Sequence, residues 1–172
     1  MYRFSTGFAY FITKVVTRYA GLFERDLAAY GFTVPMYRVM AGLWEKADQQ
    51  LGELSTMTSI ELSTLSRLIG TMKRSGLVSR VRVESDERSI RLNLTAKGRS
   101  LAPKLMAIAT RYEEFAVQLL GEDEMETVRR NLAKLYQNLE QLELHADGAE
   151  LPSPSRLRTR RARTRGRAPR SA

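Results

Sequence analysis

Between Leu51 and Thr95 the spacing of apolar residues changes period, and no other feature of the chain constrains its fold as strongly. The stretch LGELSTMTSIELSTLSRLIGTMKRSGLVSRVRVESDERSIRLNLT holds two short amphipathic segments around a tight break, then two alternating runs around a charged turn. Helical spacing gathers apolar side chains on one stripe, whereas strict alternation gathers them on one face of a strand. Two helices followed by a β-hairpin make a winged helix-turn-helix, a shape that enters a DNA groove. The fold class this implies is mainly α with a small β-hairpin.

The first segment, Leu51 to Met57, is expected to bury Leu51, Leu54 and Met57, with the small Ser55 where a second helix can approach closely. The second covers roughly Glu61 to Ser75, closed by Gly76. At 100° per residue, Leu62, Leu65, Leu68, Ile69 and Met72 point inward. Ser63, Arg67, Gly70, Thr71 and Arg74 fall on the opposite side, flanked by Thr64 and Ser66. That outer face has hydroxyls, two arginines and no carboxylate in a chain with 19 acids, which suits groove contact better than an ordinary solvated face. Its start has two readings: Thr58-x-x-Glu61 is similar to a capping box, while the turn places the first helical residue more naturally near Leu62. Leu77–Val83 and Ile90–Leu94 alternate as strands, with Glu84 to Ser89 as an exposed tip.

Helical spacing also runs from Thr6 to Tyr30, with Gly31 as C-cap, through an aromatic-rich stripe that a core would bury in large part and a dimer seam could share. A second helix opens at Thr33-Val34-Pro35, with proline in the first turn, and reaches Lys46, burying Val39, Met40, Leu43 and Trp44. Ala47 to Gln50 reads as a polar connector. Thr95 caps a fifth helix toward Leu120, in which Pro103 implies a kink or a late start. After Gly121, the acids Glu122, Asp123 and Glu124 lie at the positive end of a sixth helix, whose apolar edge is Val128, Leu132, Leu135, Leu139 and Leu142. Four regions result: 1–33, an N-terminal helix; 34–98, the DNA reader; 99–144, C-terminal helices; and 145–172, an arginine-rich tail expected to be disordered alone.

Charge is unevenly spread. The net charge is +9, but the eight arginines after residue 155 accompany no acid, which leaves +1 for residues 1–150. Nucleic-acid affinity in the folded part must therefore come from clustered charge. The chain has no cysteine, which excludes a disulfide framework, a thiolate metal site and a thiol switch. His145 is the lone histidine, with no ligand-spaced carboxylates, so no metal or other cofactor is expected. No stretch approaches the roughly 18–20 apolar residues of a membrane span, and a cytoplasmic protein is expected. Neither a phosphate-binding glycine loop nor a nucleophile elbow occurs, so an enzyme is not expected.

The run Ser63-Thr64-Leu65-Ser66-Arg67-Leu68-Ile69, continuing through Arg74-Ser75-Gly76-Leu77-Val78-Ser79-Arg80, resembles the S-T-x-T-R-L-V and R-G-L-V-x-R segments of the MarR family of winged-helix regulators. Asp86-Glu87-Arg88-Ser89, followed by Leu92-Asn93-Leu94-Thr95 and Gly98, is similar to that family's D-x-R wing tip and L-x-L-T-x-x-G. The resemblance covers about residues 5–144. The chain departs from it with Ser59 where glycine is frequent, Glu61 where a short capping residue is usual, and Glu87 and Ser89 where a basic residue often stands. The arginine tail is outside the pattern.

The resemblance implies a homodimer on a near-palindromic double-stranded operator, with half-sites about 10–10.5 bp apart. The first, fifth and sixth helices would form an α-helical dimerisation layer. Arg67 suits a bidentate contact to guanine O6 and N7, worth about 1–3 kcal/mol of discrimination. Ser63, Thr64 and Ser66 suit bases or phosphates, and Thr71, Lys73 and Arg74 suit phosphates. Arg88 is the minor-groove candidate. The resemblance also implies that Asp86 orients it. Family members often bind small aromatic or phenolic acids; Tyr10, Met36, Tyr37, Arg38 and Trp44 could line such a site or serve ordinary packing. The function this implies is a repressor released by such a ligand. The alternative is a general nucleic-acid-binding or chromosome-organising protein driven by the tail. Beside an operator the tail is expected to add nonspecific phosphate contacts; binding RNA or an anionic membrane, or staying solvated, are its other readings.

Overall fold

The structure, a computed structural model, describes residues 3–83 and 86–143, with backbone alone for 82, 83, 86–89, 142 and 143. The linker and tail after residue 143, with His145 and the eight arginines, lie outside the described residues, as do Glu84, Ser85 and the side chain of Leu142. The described elements are α1 (Phe8–Ala28) after a 3-10 turn (Phe4–Thr6), α2 (Val34–Glu45), α3 (Leu51–Thr58), α4 (Leu62–Arg74), β1 (Val78–Val83), β2 (Asp86–Leu94), α5 (Ala96–Val117) and α6 (Glu122–Glu143). They divide into two units, residues 1–117 and 118–172.

The first unit is organised on a core in which Leu27, Val39, Met40, Leu54, Leu65, Ile69, Met72, Ala102 and Leu105 have no exposed surface. Five helices and the base of the hairpin contribute to it, so α4 is fixed by its inward face while its outward face stays free. Local signals set the element ends. Thr33 Oγ1 accepts the Met36 N–H at 3.4 Å, and Pro35 occupies the first turn of α2, where its missing N–H is no loss. Gly31 and Gly76 take φ of +73° and +69°, closing the turns after α1 and α4 in a backbone region that favours glycine. Thr95 Oγ1 accepts from Gly98 N–H at 3.0 Å and donates to the Gly76 carbonyl at 2.6 Å, so one hydroxyl caps α5 and ties it to the end of α4.

Several expectations change. Trp44, Met57 and Leu62 are exposed (47%, 40% and 49%); each lies at or near a helix end, where cover is incomplete, although the Met57 sulfur still meets the Gln49 amide at 3.6 Å. Thr58 and Ile60 are buried instead. In α1 only Phe23 and Leu27 are buried, while Phe8, Phe11, Val15 and Val16 are exposed, so the single chain's core takes just the C-terminal part of the aromatic stripe. The capping-box reading of Thr58 fails; α4 begins at Leu62 with Glu61 as its N-cap. α5 is already helical seven residues before Pro103, which rules out the late start.

The connector from Ala47 to Gln50 is more than polar filler. Gln49 is buried and exchanges backbone hydrogen bonds with Leu92, 3.3 Å to its carbonyl and 2.8 Å from its N–H, adding a bridge beside the hairpin. Its side-chain amide donates to the Gly42 and Lys46 carbonyls at 2.8 and 2.7 Å, closing the end of α2. In the hairpin, Val78 pairs with Leu94 and Arg82 with Ile90 in antiparallel register, with an irregularity between Arg82 and Val83. β2 starts at Asp86, so the backbone of residues 86–89, expected to be tip, is strand.

The second unit presents α6, whose first-turn acids include Glu124, which accepts the Gly121 N–H at 2.9 Å. None of the described side chains of α6 is buried: Val128, Leu132, Tyr136 and Leu139 are exposed along the helix, and Leu135 is half-buried.

Candidate nucleic-acid interface

The turn between α3 and α4 aims the second helix. Ser59 takes the left-handed conformation, φ +52° and ψ 36°, and ends α3 three residues before α4 begins. Ser55 Oγ, the small residue near the end of α3, donates to the Ile60 carbonyl at 2.6 Å and braces that turn. Ile60 itself is buried, which anchors the start of α4 against the core.

Of the expected readers on α4, Ser63, Thr64, Arg67, Thr71, Lys73 and Arg74 are exposed, and Ser66 is half-buried. The Arg67 guanidinium has no hydrogen bond or ion pair among the described residues, leaving its donors for an external acceptor. Arg74 Nη2 donates to Thr71 Oγ1 at 3.1 Å, which orients the guanidinium along the face. Lys97, not anticipated as a contact, donates from Nζ to the Ser75 carbonyl at 2.9 Å and adds exposed positive charge beside Lys73 and Arg74. Its one signal in the sequence is a position just after the Thr95 cap.

The expectation of a face without carboxylates fails at its N-terminal end. Glu61 accepts the Ser63 and Thr64 N–H groups at 2.9 and 3.0 Å and also the Ser63 hydroxyl. These donors, the Ser63 hydroxyl foremost, lower its pKa from 4.5 to about 2. The sequence signal was the departure at Glu61 itself.

Behind α4, Arg80 of β1 reaches the Ser66 carbonyl from Nη2 at 3.2 Å, while its Nε is buried without a partner among the described residues. On the wing, Arg91 donates to the Asp48 carbonyl at 3.1 Å and stands 3.6 Å from Glu53. Asn93 holds the Asp48 backbone N–H and its carboxylate at 2.9 and 3.2 Å. The Glu53 carboxyl is lowered chiefly by the Gln50 N–H and then by Lys46. The polar residues at the base of the wing are thus used internally. For Asp86 and Arg88 only backbone is described, both within β2, and the proposed pairing of their side chains lies outside the described residues.

The candidate ligand residues separate into different surroundings. Tyr10 lines a groove of about 960 Å³ along α1 with Phe4, Lys14, Arg18, Leu22 and Arg25. Lys14 Nζ lies 5.3 Å from the Tyr10 ring centroid. Tyr37 and Arg38 line a smaller groove, about 360 Å³, with Glu45, Met57, Thr58 and Ser59. Tyr37 packs edge-on to Phe23 at 4.7 Å, and burial, followed by Glu113, raises its pKa. Met36 packs against the core, and Trp44 lines neither groove.

Comparison with known proteins agrees with this architecture. The family model for "Transcriptional regulator SarA/Rot" matches residues 21–105. The HTH-type transcriptional repressor IacR of Pseudomonas putida is 27% identical over 133 residues, covering 77% of this chain and 80% of IacR. A MarR-family transcriptional regulator from Silicibacter pomeroyi is 25% identical with a TM-score of 0.71, covering 79% of this chain and 92% of that one. BpsR of Bordetella bronchiseptica, whose DNA binding is regulated by 6-hydroxynicotinic acid, shares the fold at 20% identity and a TM-score of 0.72, over 79% of this chain and 97% of its own.

Proposed function

The chain belongs to the MarR family of winged helix-turn-helix transcriptional regulators, and from that premise we propose that it is a cytoplasmic repressor that binds a near-palindromic operator as a homodimer. The observation that carries this reading is the outward face of α4, where Arg67 is exposed with its donors free among hydroxyls, and Thr71, Lys73 and Arg74 follow toward the C-terminal end. In the major groove Arg67 reads guanine through O6 and N7, and Ser63, Thr64 and Ser66 touch neighbouring bases or phosphates. Lys73, Arg74 and Thr71 hold the phosphate backbone. Arg88, oriented by Asp86, enters the flanking minor groove.

In this reading residues 34–98 form the reader, and 1–33 with 99–144 supply the dimer surface. The apolar side chains left exposed on α1 and α6 support that role, since a two-fold partner presenting the same patches would cover them. A small aromatic acid would release the operator. Arg38 beside Tyr37 offers a carboxylate and a ring their complements, and Tyr10 lies above a second cation-lined groove. Regulation of BpsR by an aromatic acid supports the ligand class. The arginines after residue 155 add nonspecific phosphate attraction.

Selection of bound sites from random DNA tests the reading. The full chain should recover a two-fold-related site, and Arg67→Ala should lose that preference while still binding unrelated DNA. Equal binding of all sequences by the unaltered chain would instead favour a general nucleic-acid-binding protein driven by its tail.

A further inference from the structure

The Glu61 carboxylate lies on the same side of α4 as Arg67, because its hydrogen bonds fold it back over Ser63 and Thr64, which belong to that face. Oε2 accepts two of its three bonds and Oε1 one, so of the roughly four acceptor positions of a carboxylate one remains, on Oε1. The Ser63 hydroxyl directs its hydrogen into the bond to Glu61, so it too presents lone pairs outward. This end of the helix is therefore a cluster of acceptors held in its charged form, whereas the other end carries Arg74, Lys73 and Lys97.

Two consequences follow from the chemistry. The N–H groups of Ser63 and Thr64, of the kind that bind phosphate at many helix N-termini, already hold an anion and turn DNA phosphate away. Against base edges, an acceptor-only group is satisfied by an amino group and repelled by guanine O6 and N7 or thymine O4. Adenine offers an amino group beside its own N7 acceptor; cytosine offers N4–H₂ and has no acceptor of its own on the major-groove edge.

We propose, on the reading that α4 enters the major groove, that Glu61 is a specificity-determining residue that selects cytosine in each half-site. Arg67 lies six positions after Glu61, about 9 Å along the helix. At about 3.4 Å per base pair, the cytosine lies two to three base pairs from the guanine that Arg67 reads. Glu61 thus acts by exclusion as much as by attraction: it weakens binding to every sequence through its charge and restores it where an amino group meets it.

Random-DNA selection with the full chain and two variants tests this. Glu61→Gln keeps the side-chain length and adds donors; Glu61→Ser keeps an N-cap oxygen without the charge. Circular dichroism establishes that the variants are folded, and the serine variant decides if glutamine weakens the fold. Both variants should lose discrimination at one position by about tenfold or more. They should keep the guanine preference assigned to Arg67 and bind unrelated DNA at least as tightly as the unaltered chain. Selected sites identical among all three proteins would overturn the proposal and leave Glu61 as a cap alone. An unaltered chain that selects no site would overturn the regulatory reading and this proposal together, so the two failures are distinguishable.

Discussion

Arg80 on β1 donates from Nη2 to the carbonyl of Ser66, 3.2 Å away, so the first wing strand holds the middle of the recognition helix from behind. The Ser66 carbonyl lies one residue before Arg67, and any drift of this contact moves the guanidinium expected to read DNA. Hydrogen bonds from charged donors contribute about 1.5–3 kcal/mol, and the half-buried side chain adds packing. Arg80→Ala should therefore lower the urea midpoint by an amount equivalent to about 1.5–3 kcal/mol. It should also weaken operator binding more than it weakens binding to unrelated DNA. Equal losses on both DNAs would mean that Arg80 contacts phosphate and does not position the helix.

Ser59 carries a side chain at φ +52°, a region that costs an L-residue about 1–2 kcal/mol relative to right-handed helix. Its hydroxyl has no hydrogen bond among the described residues to repay that strain. Glycine removes the strain but loses about 0.4–1 kcal/mol through its freer unfolded chain. Ser59→Gly should be stabilising by about 0.5–1 kcal/mol, read as a raised thermal midpoint with DNA selection unchanged. A lowered midpoint would show that the serine hydroxyl makes a compensating contact.

How far the sequence foretold these features depends on what sets each one. Thr33, Gly31, Gly76 and Thr95 were legible because caps and left-handed turns are local chemistry. The glycine of the L-x-L-T-x-x-G pattern has a physical reason as well: a Cβ on Gly98 would come within 2.3 Å of the Leu77 carbonyl oxygen. Gln49 was not legible, because its partner Leu92 is 43 residues away and a buried amide looks no different in sequence from an exposed one. Helical periodicity gave the direction of Leu62, Met57 and Trp44 but not how far neighbours cover them, and near helix ends the cover is incomplete. The strand from Asp86 was missed because Asp, Glu and Ser are poor strand formers, and pairing with β1 overrides that preference. On α4, Ser63, Thr64, Arg67, Thr71, Lys73 and Arg74 lie exposed with Ser66 half-buried, as their spacing implied, while the position of the Glu61 carboxylate required knowing which groups it binds.

The Glu61 cap also has a signature in acid. Its carboxyl has a pKa of about 2 when folded, against 4.5 when free, so the unfolded chain takes up the proton first. The stabilisation is complete above 4.5 and is lost as pH falls toward 2. Thermal midpoints of the unaltered chain and Glu61→Gln, followed from neutral pH downward, should differ most at neutrality and converge across that window. A difference independent of pH would place the carboxylate in solvent, without its three donors.

The apolar edge of α6 gives the proposed dimer its sharpest test. Val128, Leu132, Leu135 and Leu139 recur at intervals of four, three and four, one stripe of an α-helix, yet none is buried in the single chain. Substituting an exposed position on a lone chain ordinarily changes stability by less than about 0.5 kcal/mol. If the stripe is covered by a second copy, Leu132→Glu combined with Leu139→Glu sets charges against the same patch across the two-fold axis, four in all, with no partner cations required nearby. Sedimentation should then change from twice the chain mass to the chain mass. Operator affinity should fall by about 10²–10⁴-fold as the two readers lose their linkage, while binding of a single half-site stays the same. A double variant that keeps twice the chain mass would move the dimer contact off α6, and an unaltered chain that sediments as a monomer at micromolar concentration would remove the two-fold operator from the proposal.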